Sequence, residues 1–372
     1  MKKLPTWLKG VFIILAVYLF AFQPIPFFIE SPGTAFGLDD MVEVDEQFSK
    51  DPGEFYITTV GVQQATPMTA LTSVMPYRDL ISKQELFGDV EDFNEYDIIQ
   101  QYYMNSSGNT AIQVAFDAAD MEYELQYNGV YVLQVLNESD FSDSLAVGDT
   151  VQAVDGQQFE SSHAFIEYVS SLEVDETVEI EFEHEGEMQT ATGELMLLES
   201  GVPGIGIGLV DNTSLHTSPH VEIHSGEIGG PSAGLMFSLQ IYKQLVKEDI
   251  PKEHKIAGTG TIAPDGTVGR IGGIEKKVVA ADKEGAEYFL APNDEVPEEV
   301  LEVYPEMLSN YDAAVEAAEA IGTDMKVIPI KNFSDALDFL EELKENQVFN
   351  DQPKERSIIH ALDSFEKEVA LF

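Results

Sequence analysis

Glycine-rich segments in the C-terminal half carry the groups best placed to do chemistry. One is Gly229-Gly230-Pro231-Ser232-Ala233-Gly234-Leu235-Met236-Phe237. Paired glycines let backbone approach a substrate closely, and proline favours the first turn of a helix. Leu235, Leu239, Ile241, Tyr242 and Leu245 continue as a helical stripe. Ser232 then stands at a helix N-terminus, where unpaired N–H groups and the positive dipole end can stabilise an oxyanion. Alone, this pattern fits a plain helix cap as well. A second segment runs Gly258-Thr259-Gly260-Thr261-Ile262, then Pro264-Asp265-Gly266-Thr267-Val268-Gly269. It reads as strand, Asp-Gly turn and strand. The third, Gly272-Gly273-Ile274-Glu275-Lys276-Lys277-Val278-Val279-Ala280-Ala281, opens another helix.

Together these segments resemble the proteolytic domain of the Lon (endopeptidase La) family. The resemblance rests on the paired signatures Gly-Pro-Ser-Ala-Gly and Gly-Gly-x-x-x-Lys. It implies a Ser-Lys dyad with Ser232 as nucleophile and Lys277 as general base. Thr259 matches the strand threonine that lies near the lysine, and is expected to give a supporting hydrogen bond. Lys276 is an adjacent lysine whose side chain points about 100° away, expected to be dispensable. Gly230 and Pro231 precede the serine; the Ser232 N–H is a possible oxyanion donor, whereas Pro231 has none. ATPase-bearing relatives often carry an acid three positions before the serine, and here that place is Gly229. A lysine base useful near neutrality must be shifted down from about 10.4 by ~2–3 units. Burial among Ile274, Val278 and Val279 would do this.

Ahead of these segments lies a β-rich stretch. Gly129-Val130-Tyr131-Val132-Leu133-Gln134-Val135 reads as a strand entered through glycine. Gly148-Asp149-Thr150-Val151-Gln152-Ala153-Val154-Asp155-Gly156 reads as turn, strand and tight turn. A helix follows, with Ser161 or Ser162 as N-cap and Phe165, Ile166, Tyr168 and Val169 as its apolar face. Val178-Glu179-Ile180-Glu181-Phe182 is another strand. This stretch resembles a PDZ domain, and the likeness implies that an extended peptide adds beside Gly129, Val130, Tyr131 and Val132. With no basic residue in 129–135, backbone N–H groups would have to meet a peptide carboxylate. An ordinary β-module without a ligand is the alternative.

At the N-terminus, residues from Gly10 to Ile29 include no charge, and Lys2, Lys3 and Lys9 precede them. About 20 apolar residues span a bilayer core. The lysines orient residues 1–9 to the cytoplasm and the rest outward. An uncleaved transmembrane signal anchor over 10–29 is expected in preference to a cleaved signal peptide. The expected fold class is α+β, in this order: cytoplasmic residues 1–9, the anchor 10–29, a motif-free extracytoplasmic region 30–107, a PDZ domain 108–197, a Lon-type domain 200–345 and a tail 346–372. The whole resembles the membrane-anchored, PDZ-containing Lon-like peptidases of Gram-positive bacteria.

Composition narrows the function. The 372 residues carry 20 Lys+Arg against 67 Asp+Glu, a formal charge of −47, and no cysteine. Nucleic-acid backbones need a basic face, so no nucleic-acid partner is expected. Thiolate metal sites and a cysteine nucleophile are excluded. His184-Glu185-Gly186-Glu187-Met188 lacks the second histidine of a zinc helix, and His220 and His224 read as surface residues. No metal and no cofactor are expected. No Gly-Lys dipeptide occurs, so these residues hold no Walker A loop. The expectation is an ATP-independent serine endopeptidase acting on peptides or unfolded segments and anchored at the membrane; the resemblance also raises a homo-oligomer, since Lon-type domains often form rings. An inactive PDZ scaffold is the rival reading. The acidity reads as a hydrated surface suited to salt. Its field should oppose the downward shift of Lys277, so activity near neutrality is expected to rise with salt.

Overall fold

The computed structural model describes residues 5–50, 53–88, 90, 93–247 and 250–351. Of the expected tail, residues 352–372 lie outside these. The first helix, α1 (Thr6–Phe22), exposes Trp7, Phe12, Ile13, Ile14, Val17 and Phe22 on several faces. Among the described residues, no helix is long and apolar enough to cross a membrane. The transmembrane helix expected over 10–29 is not found: the helix there runs only from Thr6 to Phe22, and Phe27–Gly37 is already strand β1. Pro24 and Pro26 explain the stop, because proline lacks the helical N–H and disfavours a helical residue before it.

Next come β2 (Val42–Val44), β3 (Glu54–Gln64), β4 (Asp79–Ser82) and the long helix α2 (Phe93–Ala118). An antiparallel module follows: β5 (Tyr123–Val135), β6 (Thr150–Val154), helix α3 (Ser162–Ser170), β7 (Thr177–His184), β8 (Glu187–Glu194) and β9 (Ile207–Thr217). The chain then forms β10 (Val221–Ile223), α4 (Gly234–Val246), β11 (Lys255–Gly258), α5 (Ile274–Glu284), β12 (Tyr288–Pro292), α6 (Asn310–Ile321), β13 (Lys326–Ile330) and α7 (Phe333–Asp351).

The main sheet has the order β13-β12-β11-β3-β1-β4. The first four strands run parallel, and β1 and β4 add antiparallel. Half of this sheet therefore comes from residues 27–82, the region that had no readable motif. The antiparallel module is inserted between the two halves. Successive side chains of a strand point to opposite faces. Phe55 and Ile57 of β3, Ile256 of β11 and Leu290 of β12 pack on one side with Leu235, Met236 and Phe237 of α4 and with Met104 and Ala111 of α2. Tyr56, Ala257, Phe289 and Ala291 face the other side, against Ile274, Val278 and Ala281 of α5 and Ala314 and Ala317 of α6. Strands buried on both faces read as continuous apolar runs, as Tyr288-Phe289-Leu290-Ala291-Pro292 does.

The inserted module has the sheet order β8-β7-β6-β5-β9. Its core gathers Val130, Val132, Val151, Val154, Ile180 and Phe182 under Phe165 and Val169 of α3. Ser161 is the cap of that helix: its hydroxyl accepts from the Ala164 N–H at 3.1 Å.

Candidate active site

Helices α4 and α5 lie on opposite faces of the main sheet, and their chemistry meets just past the end of β11. The approach to α4 is a tight 3-10 turn over Pro231–Ala233. Gly230, at φ +92°, supplies a backbone conformation that side chains disfavour. The Ser232 carbonyl accepts from the Gly260 N–H at 2.9 Å and from the Thr259 hydroxyl at 2.9 Å. The Leu235 N–H returns a bond to the Gly260 carbonyl at 3.1 Å. Serine turn and strand end are thus laced together.

On the other face, the turn before α5 is held by Asn310, a buried residue of α6. The Ile271 N–H donates to Asn310 Oδ1 at 2.7 Å, and Asn310 Nδ2 donates back to the Ile271 carbonyl at 3.1 Å. From α5, Lys277 Nζ lies 2.6 Å from Ser232 Oγ and 3.0 Å from Thr259 Oγ1. Lys277 is 4% exposed and Thr259 1%. Ile274 and Val278, both buried, flank the lysine. Burial alone lowers the Lys277 pKa from 10.5 to about 7, because an ammonium loses its hydration there. A neutral amine 2.6 Å from a hydroxyl can accept its proton. Ser232, Thr259 and Lys277 are therefore brought together, with Gly230 shaping the turn.

Lys276, expected to be dispensable for cleavage, is buried at 2% exposure and makes structural contacts that its sequence position does not reveal. Its Nζ contacts Asp79 at 2.6 Å, Glu30 at 2.9 Å and Glu275 at 2.9 Å. Burial would lower its pKa, but the bonds to Asp79, Glu275 and Glu30 outweigh this and raise it. Lys276 thereby ties α5 to β1 and β4. The glycine at 229 also has a physical reason. A Cβ added there would stand 2.7 Å from Gln100 Cβ of α2, so no side chain fits.

The peptide-binding assignment of Gly129, Val130, Tyr131 and Val132 does not survive the strand pairing. These residues lie in β5, paired with β9 along Asn212↔Gly129, Asp211↔Val130, Val210↔Tyr131 and Leu209↔Val132. On the other side Val130 and Tyr131 pair with Val151 and Thr150 of β6. No edge remains for an added strand. The sheet's two edge strands are β8, which pairs with β7 alone, and β9, which pairs with β5 alone.

Histidines stand apart from this cluster. His184 Nδ1 bonds Asp149 Oδ1 at 2.6 Å, which raises its pKa. His224 Nε2 bonds Glu43 Oε2 at 3.0 Å. With Glu222 these two residues form a group whose ligand atoms could hold a cation. Residues the sequence did not single out include Asn310 and, on α2, Gln100 and Ser107. Ser107 Oγ donates to the Pro231 carbonyl at 2.9 Å, and the Gly230 N–H donates to the Gln100 carbonyl at 2.8 Å. One signal existed: Ser106-Ser107-Gly108 are weak helix formers in mid-helix, a sign of close approach.

Comparison with known proteins adds an independent line. Residues 112–195 match the PDZ domain family, and residues 207–341 match the Lon protease (S16) C-terminal proteolytic domain. The Lon protease of Metamycoplasma arthritidis is 29% identical over 158 residues, 42% of this chain and 17% of that protein. The Lon protease of Clostridioides difficile is 36% identical over 91 residues, 22% of this chain and 11% of that protein. The chain thus spans a small fraction of the length of these relatives. A crystal structure of the PDZ domain of an SdrC-like protein from Listeria monocytogenes is 39% identical, covering 23% of this chain and 93% of that one, with a TM-score of 0.23.

Proposed function

We propose that this chain, which joins a PDZ domain to a Lon-type proteolytic domain of serine-peptidase kind, cleaves peptides or flexible protein segments through a Ser232–Lys277 dyad without ATP. The observation that carries this reading is the 2.6 Å contact between Lys277 Nζ and Ser232 Oγ, made by a lysine whose pKa burial brings down to about 7, so that a neutral fraction is present near neutrality. Neutral Lys277 takes the Ser232 proton as the oxygen attacks the scissile carbonyl. The Ser232 N–H and the positive end of the α4 dipole are placed to stabilise the oxyanion. The lysine then returns its proton to the leaving amine, and water releases the acyl group. Thr259 holds the amine from one side and the Ser232 carbonyl from the other, which fixes the lysine rotamer. An inactive scaffold would have no need of a buried lysine aimed at a serine, since an unpaired lysine in a core costs stability. The test is labelling of Ser232 by a fluorophosphonate, a covalent serine reagent. Labelling in the wild type that vanishes in Lys277→Ala supports the dyad, and equal labelling in both sinks it.

The same reading places the protein at a membrane surface, catalytic part outward. Its support is the exposed apolar surface of α1 together with the lysines before it. A 17-residue helix is ~25 Å long against a hydrocarbon core of ~30 Å, so flanking residues would have to complete a span. Retention in carbonate-washed membranes, lost on deletion of residues 1–22, tests this. A wild type released by the wash overturns it.

A further inference from the structure

The helix α2 touches both the serine turn and the inserted module, and it does so with opposite faces. Gln100, Met104, Ser107 and Ala111 follow helical spacing on the face toward the main sheet. Ile98, Tyr102 and Asn109 follow it two positions away, about 200° round the helix. The first face holds the serine turn: the Gly230 N–H bonds the Gln100 carbonyl at 2.8 Å and Ser107 Oγ bonds the Pro231 carbonyl at 2.9 Å. The contact has no slack, because a Cβ at Gly234 would stand 2.7 Å from Ser107 Oγ. The second face holds the module's edge strand. Tyr102 OH donates to the Asp211 carbonyl at 2.6 Å, and Asn109 Nδ2 donates to the Thr213 carbonyl at 2.8 Å. The Tyr102 ring stacks on Tyr131 at 4.3 Å between centroids. Nearby, a 720 Å³ cavity separates Ile99 and Tyr103 of the helix from Leu133, Leu145 and Leu209 of the module. The helix is therefore held to the module by discrete polar bonds and a stack rather than by continuous packing.

We propose that α2 is a positioning element for Ser232, through Ser107 and the Gln100 carbonyl, and that Tyr102 and Asn109 make this positioning depend on β9, an edge strand of the inserted module. The proposal rests on the peptidase reading given above. Its consequence is that side chains whose bonds reach only the inserted module affect the rate at the serine. A strand added to β9 near Asp211 and Thr213 would compete with Tyr102 and Asn109 for its carbonyls, and so loosen the turn.

The experiment uses the full chain and two readouts. One is the rate of Ser232 labelling by a fluorophosphonate as a function of pH; the other is amide hydrogen exchange in residues 229–235. Variants are Ser107→Ala, which removes the bond at the turn, and Tyr102→Phe combined with Asn109→Asp, which removes two donors at the module and keeps the side-chain shapes. Both variants are expected to lower the labelling plateau about three- to tenfold, to leave its midpoint near the wild-type pH and to speed exchange in 229–235. An unchanged plateau with unchanged exchange in the double variant overturns the link to the inserted module. A shifted midpoint means that the effect passes through the burial of Lys277, and overturns positioning. If the wild type itself does not label, the peptidase reading fails; the exchange comparison still decides whether α2 couples β9 to the turn.

Discussion

Lys276 and Lys277 are neighbours in sequence and opposites in chemistry. Lys276 Nζ meets the carboxylates of Asp79, Glu30 and Glu275 at 2.6–2.9 Å, while Lys277 Nζ meets the hydroxyls of Ser232 and Thr259 at 2.6 and 3.0 Å. One helical step of about 100° directs the first toward β1 and β4 and the second toward the serine. The charged lysine also engages carboxylates that would otherwise stabilise a proton on its neighbour.

Removing either dyad member is expected to lower hydrolysis of a dye-labelled unfolded protein at least about a thousandfold, because the hydroxyl is a poor nucleophile without its base. Lys277→Arg should fail equally, since a guanidinium keeps its proton at any working pH. Full activity in Lys277→Ala would remove the assignment.

The pH dependence follows from burial. The folded pKa of Lys277 lies near 7 against 10.5 for an exposed lysine. Activity should rise through about pH 7 as the amine loses its proton, and level off above. For stability, the unfolded chain binds the extra proton between about pH 7 and 10.5, so the free energy of unfolding rises across that window. Below pH 7 the full cost of burial is present. Lys277→Met should then be more stable than wild type at pH 7 by on the order of 2–4 kcal/mol, and by much less near pH 10. Denaturant melts at the two pH values measure this, and equal differences at both would exclude a depressed Lys277.

Replacing Lys276 should affect both stability and catalysis. Lys276→Met leaves Asp79, Glu30 and Glu275 without their shared cation, at a cost of about 1–3 kcal/mol. The released negative charge near α5 should move the midpoint of the pH–rate profile upward. It also reshapes the expectation from net charge. In wild type the nearest carboxylates of α5, β1 and β4 are paired, so salt should shift the midpoint little; in Lys276→Met added salt should move it back down by screening. A midpoint unchanged in the variant would show that these carboxylates do not reach Lys277.

Thr259 bridges the lysine and the serine carbonyl. Thr259→Val keeps the shape and loses the hydroxyl, and should lower kcat about ten- to a hundredfold, whereas Thr259→Ser should keep most of it. An unchanged kcat in Thr259→Val would mean that the hydrogen bonds of the hydroxyl do not matter.

The serine and lysine segments were legible because helix starts, glycine turns and apolar stripes are local patterns, written in consecutive residues. The inserted β-rich module was legible for the same reason, down to the Ser161 cap. Strand partnership was not. Alternation in Val130-Tyr131-Val132 marks a strand but not whether both its edges are taken, and β9, contributed some 75 residues later, takes one of them. Residues 27–82 held no motif, yet they form half the main sheet, since a central strand is defined by its neighbours. The sequence by itself determined the chemical groups, the local elements that carry them and the acidic balance. Tertiary structure decided which face each lysine meets, why position 229 must be bare, and that a helix far from the serine in sequence holds its turn. The reason is physical: burial, pairing and charge neutralisation are properties of segments brought together from distant parts of the chain.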